Sequence, residues 1–167
     1  MLRPAGSLTA TRSEKNLLGV ADIPKYACCG IQAWRATQNF TLIGVPLNHL
    51  PALVCALAIM KMAAAKTNVG LGNSSQEKVD VIVRACQDIL DGQYHGAFIV
   101  DMIQGGVGAS THINANEVIS NIALQYMGEP LGNYKAFHSN NDVNLSRSTS
   151  DAYPTSVCLS ILFSHLA

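Results

Sequence analysis

The sequence predicts an all-α fold. Three observations carry that expectation. Apolar residues recur at helical spacing in several segments bounded by residues that start and stop helices. No stretch alternates apolar and polar residues for more than a few positions, as a half-buried strand would. The chain is 49% hydrophobic and only 13% charged over 167 residues, enough for one domain with a substantial core.

Taken in order, residues 1–16 are polar and unpatterned and read as a flexible arm. Leu17, Leu18 and Gly19 end it. Ile23-Pro24 opens an irregular segment, and residues 27–40 hold one short helix with Trp34 and Arg35. Residues 41–48 form a loop with Gly44 and Pro46. Pro51 opens the first long helix, since a missing N–H costs nothing at that position. Leu53, Leu57, Met60 and Ala64 share one side of it, Lys61 and Lys66 are expected to reach water, and Gly70 and Gly72 end it. A second helix starts at Ser74, with Glu77 completing a capping box. Val79, Ile82, Val83, Cys86, Ile89 and Leu90 are its buried stripe, and Gly92 stops it. A third runs over 115–127 with Asn114 as N-cap and Glu117 three residues on. Its inward residues are Val118, Ile119, Ile122 and Tyr126, and Gly128 is its stop. The last helix begins near Asp151, after Ser148-Thr149-Ser150, with Pro154 in its first turn. From Val157 to Leu166 it is apolar almost all round, which suits the inside of a larger bundle.

Eleven basic residues balance eleven acidic ones, which argues against a nucleic-acid partner. No uninterrupted apolar run approaches the ~20 residues of a membrane span, and the first twenty residues lack the plan of a signal peptide. Cys28, Cys29, Cys55, Cys86 and Cys158 are odd in number and contain no C-x-x-C pair. They fit small buried hydrophobes in a reducing cytoplasm. The histidines at 49, 95, 112, 138 and 165 show no metal-site spacing with them.

Two polar stretches stand out. In 101–119, Gly105, Gly106 and Gly108 are followed by Ser110, Thr111, His112, Asn114 and Asn116. Closely set glycines permit a tight turn and close approach. Hydroxyls and amides at a helix start suit an anion, although such turns also serve as plain connectors. A phosphate loop would need Gly-Lys-Ser/Thr, and a dinucleotide loop would need a glycine where Thr111 stands. The second stretch, 138–150, sets His138, Asn140, Asn141, Asp142, Asn144, Ser146, Arg147, Ser148, Thr149 and Ser150 ahead of the last helix. Alone it reads equally as a capped loop.

Together these stretches resemble the N-terminal region of the aspartase/fumarase superfamily. Residues 12–19, RSEKNLLG, resemble its opening R-x-E-x-D-x-hydrophobic-G. Gly30 through Arg35-Ala36 to Asn39-Phe40 resembles G-x-x-T-x-R-A-x-x-N-F. Residues 101–118 resemble the glycine segment that ends N-x-N-x-N-E-V, and 138–155 resemble H-P-N-D-x-V-N, S-Q-S-T-N-D and Y-P-T. Within the family, Gln104-Gly105-Gly106-Val107-Gly108 resembles the aspartate ammonia-lyase form, while Asn141-Asp142-Val143-Asn144 leans toward fumarate hydratase.

The resemblance implies the helical first domain of that superfamily over 17–147 and the opening turns of its central bundle over 148–167. It implies elimination of ammonia from L-aspartate to give fumarate, in a cytoplasmic homotetramer without metal or organic cofactor. Ser148, Thr149, Ser150 and Ser110 would bind the dicarboxylate substrate, and His138 and Asn140 would form a secondary anion site. The family's base-bearing loop has no counterpart in these 167 residues, so no catalytic residue is assigned and the chain alone is expected to be inactive. Ala109, His112, Ser139, Asn141, Ser150 and the pair Cys28-Cys29 depart from the family pattern. Fumarate hydratase, a non-catalytic fragment and a phosphate-binding helical module are the alternatives.

Overall fold

The computed structural model describes residues 10–104 and 106–166. Residues 1–9 of the expected arm, Gly105 and Ala167 lie outside the described residues. The fold is helical, with one small hairpin, as expected from the sequence except at its start. There, β1 (Thr11–Asn16) pairs antiparallel with β2 (Gly19–Pro24) in register Asn16↔Gly19. Part of the expected arm is therefore a strand. Its polar residues read as solvent-facing, yet they are consumed by bonds to β2 and the segment that follows it. The Arg12 guanidinium donates to the carbonyls of Pro24, Lys25, Ala27 and Cys29 and pairs with Glu14 at 2.8 Å.

The next helix, α1 (Ile31–Asn39), starts without a side-chain cap of its own. Two distant carboxylates replace it. Glu117 accepts from the amides of Gly30, Gln32 and Ala33 at 3.1, 2.9 and 3.0 Å, and Glu14 accepts from Ile31 at 2.9 Å. Negative charge at a helix start satisfies its orphan N–H groups and its dipole. Only glycine fits at position 30, because a Cβ there would overlap the Tyr134 hydroxyl and the Glu117 carboxyl.

One 3-10 turn (Leu47–His49) leads into α2 (Pro51–Gly70), with Pro51 in its first turn as the sequence predicts. At 20 residues and mean hydropathy 1.4, α2 is long and apolar enough to cross a membrane, contrary to the reading of the apolar runs. Its packing is that of a core helix, against α3 (Gln76–Leu90), α4 (Ala109–Tyr126) and α5 (Thr149–Leu166). The α3 cap is Ser75, one residue later than expected, accepting from the Lys78 amide at 3.5 Å.

The centre of the fold is α4, buried almost continuously from Thr111 to Leu124. It starts at Ala109, six residues before the expected start. Asn114 is not its cap. It is fully buried within the helix, accepts from the Ile99 amide at 3.0 Å and donates to the Ala97 carbonyl at 3.0 Å. Local sequence favours asparagine as a cap; here a tertiary bond to the preceding loop uses the same amide. After α4, a π-helical turn (Ser139–Val143) leads to α5, whose first half packs on α2 and α4. Beyond it, Ile161, Leu162 and Leu166 are 64%, 50% and 74% exposed.

Candidate functional site

Gly106, Val107 and Gly108 occupy the left-handed region in succession, with φ of +80°, +57° and +77°. Glycine adopts this freely, whereas a β-branched valine does not, so the loop is strained at Val107. The turn delivers the chain into α4, where Ser110 is half-buried and Thr111 and His112 are buried. Tyr153, in the second turn of α5, lies against Gly108 so closely that a Cβ there would overlap its ring. The glycine stretch therefore packs against α5 just beyond the second polar stretch.

At the start of α5, the Ser150 amide donates to Ser148 Oγ at 3.1 Å, and the Ser148 amide donates to Asp151 Oδ2 at 3.3 Å. This is a reciprocal cap centred on Ser148, with Asp151 as its third helical residue rather than its start. Ser148 and Ser150 are exposed and Thr149 is half-buried. A hydroxyl that accepts a cap bond still has its own proton to donate. The pair Ser148-Thr149 can thus present donors to an anion at the positive end of the helix.

Beneath this turn lies the residue that the sequence reading misplaced. Lys61 does not reach water; it is 0% exposed. Its Nζ donates to Asn144 Oδ1 at 2.6 Å and lies 3.4 Å from His112 Nε2. Burial pushes the Lys61 amine down to about 7, against the partial support of Asp151. Burial, followed by the neighbouring Lys61 charge, pushes His112 down to about 4, so its imidazole is neutral. His112 Nδ1 is buried and has no hydrogen-bond partner among the described residues. The signal for Lys61 was in the sequence: it falls in phase with Val54, Leu57, Ala58, Ala65 and Asn68 on the buried side of α2.

The other predicted pair lies elsewhere. His138 and Asn140 line a groove of about 520 Å³ with Lys15, Ile31, Tyr134 and Glu117. His138 Nδ1 accepts from the amides of Asn140 and Asn141 at 3.0 and 3.3 Å. That leaves Nε2 as the protonated, donating nitrogen. Ser110, Ser148, Thr149 and Ser150 do not line this groove.

The strained glycine turn thus packs against Tyr153, just inside α5, on a helical core. Residues 20–165 match the family described as "Lyase", and the chain belongs to it. It is 50% identical to the aspartate ammonia-lyase of Pseudomonas fluorescens over 99% of this chain and 34% of that protein. It is 52% identical to the Pseudomonas aeruginosa enzyme over 95% of this chain and 33% of that protein. Among solved structures, the fumarate lyase:delta crystallin of Brucella melitensis bound to cobalt superposes with TM-score 0.91 and 52% identity, covering 93% of this chain and 34% of that one. The class II fumarase of Schistosoma mansoni gives TM-score 0.81 and 33% identity, covering 91% and 32% respectively. The chain spans about a third of the length of the curated relatives it matches.

Proposed function

We propose that this chain supplies carboxylate-binding groups of an aspartate ammonia-lyase, an enzyme that eliminates ammonia from L-aspartate to give fumarate. The observation that carries the reading is the capped Ser148-Thr149 turn set beside the Gly106–Gly108 loop through Tyr153. Elimination removes a proton from the carbon beside a carboxylate and builds a second negative charge on that carboxylate. Donors aimed at developing charge lower such a barrier. Ser148, Thr149, Ser150 and Ser110 are the groups we assign to that carboxylate, and the Nε2–H of His138 with Asn140 to a secondary anion site. Residues 17–147 act as the domain that carries these groups, and 148–167 as the opening of a bundle helix shared in a cytoplasmic homotetramer.

The test is a titration of the 167-residue chain with fumarate, read at the amides of residues 106–112 and 148–151 by NMR. Saturable shifts in both segments, abolished by Ser148→Ala with Thr149→Val, support the reading. Shifts confined to 138–141, or none, refute it. In a full-length relative, loss of either hydroxyl is expected to raise the barrier by about 2–4 kcal/mol, the scale of one oxyanion donor. The chain alone is expected to form no fumarate from aspartate, because no residue in it is assigned as the base. Steady ultraviolet-absorbing product that scales with protein and disappears in Ser148→Ala would overturn that expectation.

A further inference from the structure

We infer that Lys61 is a positioning residue for the Ser148-Thr149 turn, acting with Asn68 as a two-point clamp from α2. This rests on the reading of that turn as a carboxylate site. The two residues are seven apart and lie two turns along one buried face of α2. Both reach the irregular segment immediately before α5. Lys61 Nζ holds Asn144 Oδ1 at 2.6 Å, and Asn68 Nδ2 holds the Leu145 carbonyl at 2.9 Å. Asn144 passes the constraint onward. Its Nδ2 donates to the Arg147 carbonyl at 3.1 Å, and its own carbonyl accepts from the Arg147 amide at 3.1 Å. Between them, Ser146 is held at φ +60°, a left-handed conformation uncommon for a residue other than glycine. Ser148 follows directly.

The chemistry of Lys61 fits a positioning role better than a filler role. An apolar residue would fill the site at no electrostatic cost, whereas a buried amine is costly unless its bonds are used. Among the described residues no carboxylate forms a salt bridge with Lys61, Asp151 supporting its charge without a direct bond, and its side-chain contacts are to Asn144 and His112, the second from the first turn of α4. One amine therefore touches both segments that build the site: the 144–147 turn leading to Ser148, and the helix start after the glycine loop. A rigid donor pair costs less ordering when a ligand binds than a mobile one.

The test uses the full 167-residue chain at pH 7.5 with Lys61→Met, Asn144→Ala and the double variant. Two quantities are read: hydrogen exchange of the 146–151 amides relative to the core amides of α4, and the fumarate dissociation constant from the same residues. The clamp predicts that each single variant speeds exchange at 146–151 by on the order of tenfold while the α4 core stays protected. Fumarate affinity should fall by a similar factor, and the double variant should add little, since both changes cut one chain of bonds. Exchange at 146–151 that merely follows the core would overturn the clamp, as would fully additive effects. Wild-type chain that ignores fumarate but shows the exchange pattern would sink the carboxylate-site reading and leave the clamp standing. Unchanged fumarate affinity in variants with faster exchange would remove the link between clamp and site. If Lys61→Met fails to fold, Asn144→Ala, whose side chain is half-buried, carries the test alone.

Discussion

Replacing Lys61 with methionine should change stability in a manner set by pH, with the largest loss in base. Burial holds the Lys61 amine down to about 7, against an ordinary value of 10.5. A lowered folded-state value means that the unfolded chain binds the proton more tightly. The stability owed to this residue is then fully present above 10.5 and is lost as pH falls through 7. The shift amounts to roughly 5 kcal/mol across that window. Methionine has similar length, keeps the packing and does not titrate. It leaves Asn144 Oδ1 and His112 Nε2 without the Lys61 donor, at a cost of about 1–3 kcal/mol for each buried group left unpaired.

Near pH 6 the two effects oppose each other, because methionine also removes a buried positive charge, so the variant should be close to wild type. Near pH 10 only the lost bonds remain, and the variant should be less stable by about 2–6 kcal/mol. Urea unfolding of both proteins at pH 6, 7, 8, 9 and 10 measures the difference. Cys86, pushed up to about 12 by burial, stays protonated over most of this range. A wild-type advantage that is constant with pH, or that grows toward acid, would refute the assignment of Lys61 as a buried amine of lowered proton affinity.

Glu117→Gln should cost about 1–3 kcal/mol at pH 8 by urea unfolding, because the amide nitrogen must face one of the three backbone N–H groups that the carboxylate now accepts. Equal stability would show that α1 does not depend on this cap. Gly108→Ala should cost about 2–4 kcal/mol, from left-handed strain at φ +77° and overlap with Tyr153; adding Tyr153→Ala should cost less than the sum of the two single changes. With Ile161, Leu162 and Leu166 exposed on α5, the chain should self-associate with rising concentration. Light scattering that reports a monomer across a wide range would count against this, and Ile161→Glu should reduce the association.

What could be read from the sequence was whatever depends on neighbours a few residues apart. The helices α2, α3 and α5 were visible because their apolar periods and start residues are local, although the starts of α3 and α5 were read as Ser74 and near Asp151 rather than at Ser75 and Ser148. The glycine loop and the 148–151 turn stood out separately, since both carry hydroxyls and amides at a helix start; the contact that the structure gives the loop is Tyr153, which neither stretch contains. What escaped depends on distant partners. The β1 strand looked like an arm because its polar residues bond to carbonyls 12–17 residues away. Asn114 looked like a cap because its true partners, Ala97 and Ile99, lie in another segment. Lys61 was assigned to water on charge alone, although its phase on α2 was that of the core and its acceptor lies 83 residues away.

These misreadings share a physical cause. The chain is 13% charged and 49% hydrophobic, and apolar packing is non-directional; it can bury a helix without fixing where an irregular segment runs. Directional bonds must do that, and here individual buried polar residues do so segment by segment. Glu14 and Glu117 place the approach to α1. Asp101, 6% exposed, accepts from the amides of Leu42, Ile43 and Gly44 and so fixes the loop before α2. Asn114 fixes the strand-like run before the glycine turn, and Lys61 with Asn68 fixes the turn before α5. Each bond also leaves few alternatives, since an unpaired buried donor or acceptor costs more than the bond itself contributes. Helices that need only an apolar face thus support loops that need a defined course, and the hydroxyls at the start of α5 inherit their position from that second, polar layer of specification.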